Sequence, residues 1–113
     1  MFTPEMKNFD NPLPPERVRF LELKVEPWED KKRIKVFVKI TQFTKPPNLS
    51  FQIFDSENIN LSEVTLIENV DTDIVFTMHL RNQLDRNNLR LIGNIFYSDE
   101  IGEVDQKNLD FSL

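Results

Sequence analysis

His79 is the only histidine in the chain, and so the only imidazole that acid–base chemistry could call on. It stands between Met78 and Leu80, on the solvent-side phase of an alternating run. A base serves catalysis only with a nucleophile in reach and a third group to hold it. Ser98 and Ser112 sit in no such pattern. Gly93 and Gly102 are the only glycines, too few for a phosphate-cradling loop. Cysteine is absent, which excludes disulfides, thiolate metal sites, iron–sulfur clusters and cysteine nucleophiles together. No catalytic residue and no cofactor is assigned, and the chain reads as a non-enzyme.

Oxygen ligands are more plentiful. Acidic residues gather in Asp55 and Glu57, in Asp71 and Asp73, and in Asp99, Glu100, Glu103 and Asp105. Calcium takes six to eight oxygens, which acidic loops supply where several meet at one end of a sandwich. The sequence leaves open whether the turns at Asp71–Asp73 and Asp99 share an end. They are read as solvated turns, with no metal ligand assigned, and a calcium- or ligand-binding sandwich using these acidic loops is kept as the alternative function. The run Pro12-Leu13-Pro14-Pro15-Glu16-Arg17 fits the P-x-x-P-x-Arg form taken by proline-reading grooves. It leads straight into the first strand, where Arg17 is expected to be paired already. Asn48-Leu49-Ser50 and Asn60-Leu61-Ser62 match the N-glycosylation pattern and are read as chance.

Cations concentrate in Lys31-Lys32-Arg33 and continue in Lys35 and Lys39, with Phe37 in the same phase. Cations interleaved with an aromatic suit single-stranded nucleic acid, but the net charge of −5 and a pI near 4.9 argue against it. The exposed face of a soluble strand accounts for the cluster, with an acidic protein partner as the functional reading. Residues 1–57 hold 10 Lys and Arg against 9 Asp and Glu, whereas residues 58–113 hold 4 against 10. That asymmetry can orient an encounter with a partner.

The elements that position these residues are short runs of period two, rich in β-branched and aromatic side chains. The first covers 17–26. Its apolar phase slips between Phe20 and Leu21, which predicts a bulge there. After a turn at 27–31, residues 33–42 give the cleanest alternation: Ile34, Val36, Val38 and Ile40 inward, Arg33, Lys35, Lys39 and Thr41 outward. Further strands are expected at 49–55, 63–69, 73–81, 88–98 and 104–113, the last two a hairpin around Asp99–Gly102. Residues 82–88 read as a polar connection with one helical turn around Leu84.

About seven strands at this spacing, without a helix to cross between parallel strands, predict an all-β, two-sheet antiparallel sandwich over 17–113. The succession resembles the immunoglobulin or fibronectin type III superfold. It lacks the Cys-Trp-Cys pattern, and Leu89 stands near where a tyrosine would open the penultimate strand. The superfold implies no particular function.

Residues 1–16 form a separate proline-rich arm, expected to be extended and outside the sheets. The arm carries Phe2, Met6, Phe9 and Leu13. In 88–98, Leu89, Leu91, Ile95 and Tyr97 share one phase while Ile92 and Phe96 share the other, with Phe54 on a neighbouring strand. A strand apolar on both faces is covered twice or exposes a binding patch. Either the arm covers Ile92 and Phe96, or that face meets a protein partner or a second copy. The candidate partner-binding residues are therefore Ile92, Phe96 and Phe54, with Phe37, Lys35 and Lys39 as the cationic set. The expected function is a non-catalytic interaction or assembly module, self-associating through an apolar sheet face. With no basic start before an apolar run and no long apolar stretch, a cytoplasmic protein without membrane or nucleic-acid partners is expected.

Overall fold

The computed structural model describes residues 11–81 and 87–113. The helical turn anticipated around Leu84 lies outside them, as do Phe2, Met6 and Phe9. Seven strands are formed: β1 (Phe20–Pro27), β2 (Arg33–Ile40), β3 (Asn48–Phe54), β4 (Asn60–Leu66), β5 (Asp73–His79), β6 (Leu89–Tyr97) and β7 (Gly102–Phe111). They make two antiparallel sheets, β1-β2-β5 and β4-β3-β6-β7. The expected sandwich is therefore present. Its fourth strand lies beside β3 rather than β5, which sets it apart from the constant-type immunoglobulin arrangement and gives the three-plus-four division.

Alternation decides which side chains meet. In β2, Ile34, Val36 and Val38 are fully buried and lie opposite Met78, Phe76 and Ile74 of β5. In the facing sheet, Leu49, Phe51 and Ile53 of β3 pair with Ile95, Gly93 and Leu91 of β6. Three aromatic rings span the layers. Phe51 meets Phe20 edge-on at 6.2 Å and Phe76 at 5.0 Å between centroids. Gly93 makes that possible, since a Cβ there would sit 3.1 Å from the Phe20 ring and 3.2 Å from the Phe51 ring.

The register slips between Phe20 and Glu22, so the bulge falls at Leu21 as expected. Two strand starts differ from the sequence reading. The strand β1 opens at Phe20, because Pro15–Arg17 turns as a 3-10 helix that Arg17 closes by donating its N–H to the Pro14 carbonyl. Pro14, at φ −65° and ψ 158°, keeps the extended form expected of the lead-in. Strand β4 begins at Asn60, not at Glu63. A register shift opposite Ile53 and Phe54 buries both Leu61 and Ser62, and two consecutive buried residues hide a strand start from a period-two reading. Among the described residues no helix is long and apolar enough to cross a membrane.

Candidate protein-binding surface

The six candidate residues lie on opposite sides of the sandwich. Lys35, Phe37 and Lys39 project from the outer face of β1-β2-β5, where Lys35 lies 5.7 Å from the Phe37 ring centroid and Phe37 sits opposite Val75. Lys39 approaches Glu22 at 4.0 Å. His79 is exposed at the end of this face, opposite Arg33, whose guanidinium stacks on Trp28 at 4.0 Å.

Ile92, Phe96 and Phe54 occupy the outer face of the other sheet. All three are half-buried rather than exposed. Their neighbours are polar: Ile92 lies opposite Gln52, Phe54 opposite Arg90, and Asn94 separates Ile92 from Phe96. Arg90 pairs with Asp110 at 3.1 Å across the same face. Phe54 and Ile92 share the wall of a shallow hollow of about 350 Å³, and Phe96 stands apart from it. Leu13, the one apolar arm residue described, bridges to Phe43 at the end of the sandwich.

At that end three connections and the lead-in converge. Leu13 donates its N–H to Gln42 and accepts from Thr44, tying the lead-in to the β2–β3 connection. This bridge and the 3-10 turn take up the proline motif at both ends, so it is not a free polyproline segment. Asn69 of the β4–β5 connection donates to the Pro47 carbonyl at 2.8 Å, and Ile40 donates to Thr72 at 2.9 Å. Lys45 reaches Asp99 of the β6–β7 hairpin at 2.6 Å. The turns at Asp71–Asp73 and Asp99 thus share an end, the point left open above.

Their carboxylates do not converge. Among the described residues no three acidic or histidine side chains are placed to hold a metal ion. Asp99 is held below the ordinary carboxylate value first by the Lys45 ammonium and then by the Ile101 N–H it accepts. At the opposite end, Asp55 accepts the N–H groups of Glu57 and Ile59 within its own turn. These oxygens are engaged in building turns.

The converging end is tightly held. Tyr97 is buried, and its hydroxyl donates to the Lys45 carbonyl at 2.9 Å. Burial, and then the negative charges of Asp99 and Glu16, push the phenol above its ordinary pKa. Asn48, 5% exposed, spends its whole amide here. Its Oδ1 accepts the Glu68 N–H at 2.8 Å and its Nδ2 donates to Ser98 Oγ at 3.0 Å. That use leaves no role for Asn48 as a glycosylation acceptor.

Glu68 adopts a left-handed backbone, φ 48°, which a non-glycine residue reaches only at a cost. On either side of the turn stand Ile67 and Val70, 66% and 72% exposed, the two most exposed large apolar side chains among the described residues. The sequence reading missed both, because Ile67 was absorbed into a strand expected at 63–69. The doublet Leu66-Ile67, which breaks alternation just before Glu68-Asn69, is the signal that marks them. At the same end lies a hollow of about 670 Å³, whose lining includes Leu13, Leu21 and Ile40 with Arg17, Lys39 and Asp73.

No protein-family model matches the chain, and no characterised protein matches it in sequence. Similar folds occur in solved structures. A glycosyl hydrolase family 2 member from Bacteroides cellulosilyticus superposes with TM-score 0.59 at 17% identity, over 84% of this chain and 14% of that one. The β-glucuronidase of Ruminococcus gnavus gives 0.55 at 9%, over 86% and 16%. The β-glucuronidase of Bifidobacterium dentium gives 0.55 at 9%, over 85% and 18%. The chain thus corresponds to a β-sandwich portion of much longer enzymes, and at these identities the likeness is one of fold.

Proposed function

We propose that this chain is a non-catalytic protein-interaction module that binds through the loop end carrying Ile67 and Val70. One observation carries the reading: among the described residues, the most exposed large apolar side chains stand on a loop held by a buried asparagine. A loop without a task would be expected to shed such side chains or to move freely; this one is fixed by Asn48 and by Asn69, with a strained residue between. Preorganisation of that kind lowers the entropy lost on binding.

The outer faces of the sheets have less to support them. Ile92, Phe96 and Phe54 are half covered and diluted by polar pairs, while Phe37 lies among lysines that solvate it. The acidic residues 68, 71 and 73 around the exposed pair favour a partner surface that is apolar at its centre and cationic at its edge.

The test is affinity capture by the full chain, compared with the double variant Ile67→Ser, Val70→Ser. Both positions are exposed, so the variant should melt within a few degrees of the parent. A partner, of this or another sequence, that is retained by the parent and lost by the variant supports the reading. Equal retention by both, or loss only on Phe96→Glu, would move the binding surface elsewhere.

A further inference from the structure

The exposed loop and the hollow complement one another in shape and in charge. Ile67 and Val70 project, and a hollow of about 670 Å³ at the same end offers Leu21, 51% exposed, with half-buried Leu13, over a floor that includes the buried Ile40. Its volume falls within the range of pockets that enclose small ligands, ample for two aliphatic side chains. Thr72 and Asp73 wall the hollow two and three residues beyond Val70, so the chain leads from the projection directly to the edge of the recess. The loop carries Glu68 and Asp71, whereas the hollow carries Arg17 and Lys39 together with one carboxylate, Asp73, which stands opposite Lys39 in the β2–β5 register. Among the described residues Glu68, Asp71 and Arg17 make no ion pair, and Lys39 has only its 4.0 Å approach to Glu22.

A surface that holds both a projection and its complement is suited to two-fold pairing, in which each copy supplies both halves of the contact. We infer that the occupant of this surface is a second copy of the chain, its Ile67–Val70 loop seated in the Leu13–Leu21–Ile40 hollow while the reciprocal loop fills the other. The inference rests on the reading of the loop end as the binding surface and names its partner. Glu68 and Asp71 of each copy then approach Arg17 and Lys39 of the other, twice over. The contact is small for a dimer, so association is weak and falls as salt rises.

Sedimentation of the full chain across the micromolar to millimolar range tests this. The expected result is a reversible dimer whose dissociation constant rises about 30-fold or more on Val70→Asp, and likewise on Leu21→Asp, the scale of a lost hot spot. An equal mixture of the two variants should associate more tightly than either alone, because one intact loop meets one intact hollow. Should Leu21→Asp fail to fold, Arg17→Glu on the exposed 3-10 turn takes its place in the mixture. A parent chain monomeric throughout, or a mixture no tighter than its components, overturns the inference. A monomer that still captures another protein through Ile67 and Val70 would overturn this inference alone and leave the binding surface in place.

Discussion

The Asp105 carboxylate accepts the backbone N–H of Phe20 at 2.8 Å, joining the bulge of β1 to the edge strand of the other sheet. A bulge removes a residue's N–H from regular pairing, and an unmet buried donor is costly. Asp105 faces inward on β7, opposite Ile95, and meets that need.

Asp105→Ala should therefore destabilise the domain by about 1–3 kcal/mol, the penalty of an unsatisfied buried donor. Asp110→Ala, which removes an exposed partner of Arg90, should change stability by no more than about 1 kcal/mol. Urea unfolding of both variants checks the contrast, and equal effects would remove the inter-sheet role of Asp105.

Asn48→Ala should cost a similar 1–3 kcal/mol, roughly, because Glu68 N–H loses its acceptor at a partly buried site. It should also accelerate hydrogen exchange at Glu68 and Asn69 ahead of the β-sheet amides. If exchange in the loop stays slow, the loop is held by contacts other than Asn48.

Val36→Asp should leave the chain unfolded, since a carboxylate would enter a fully buried position at a cost of several kcal/mol, roughly, against a total stability of about 5–15. Lys35→Asp, one residue away on the outer face, should fold. Circular dichroism of the two variants reads the phase of β2 directly.

The loop end should respond to pH at both extremes. Asp99 has its pKa lowered from 3.8 in the folded state, so the contribution of its pairing with Lys45 is complete above that value and is lost as pH falls through the lowered one. Tyr97 has its pKa raised from 10.0, so its contribution is complete below 10.0 and declines as pH rises toward the folded value. Denaturant midpoints of Asp99→Asn and of the parent should converge in acid, below the ordinary carboxylate value. A gap that stays constant to the lowest pH would mean the carboxylate's charge contributes nothing.

Alternation is a local property, and it carried most of the fold. The inward set of β2, the slip at Leu21 and the two phases of β6 all follow from a backbone that turns successive side chains to opposite faces. Where two consecutive residues are buried, as at Leu61 and Ser62, the same rule misplaced a strand boundary. Alternation also gives faces without saying which sheet a strand joins. That β4 pairs with β3, and that Phe37 and Phe96 lie on opposite sides of the molecule, are products of long-range pairing alone. The loop end is of the same kind. Ile67 and Val70 sit twenty or more residues from Pro47's and Tyr97's ends of the chain's other turns, and no local pattern joins them. Only folding brings Asn48 beneath Glu68, Lys45 beside Asp99, and Leu21 into one hollow with Thr72 and Asp73, because these relations follow from the order of strands in the sheets rather than from any residue's neighbours in sequence.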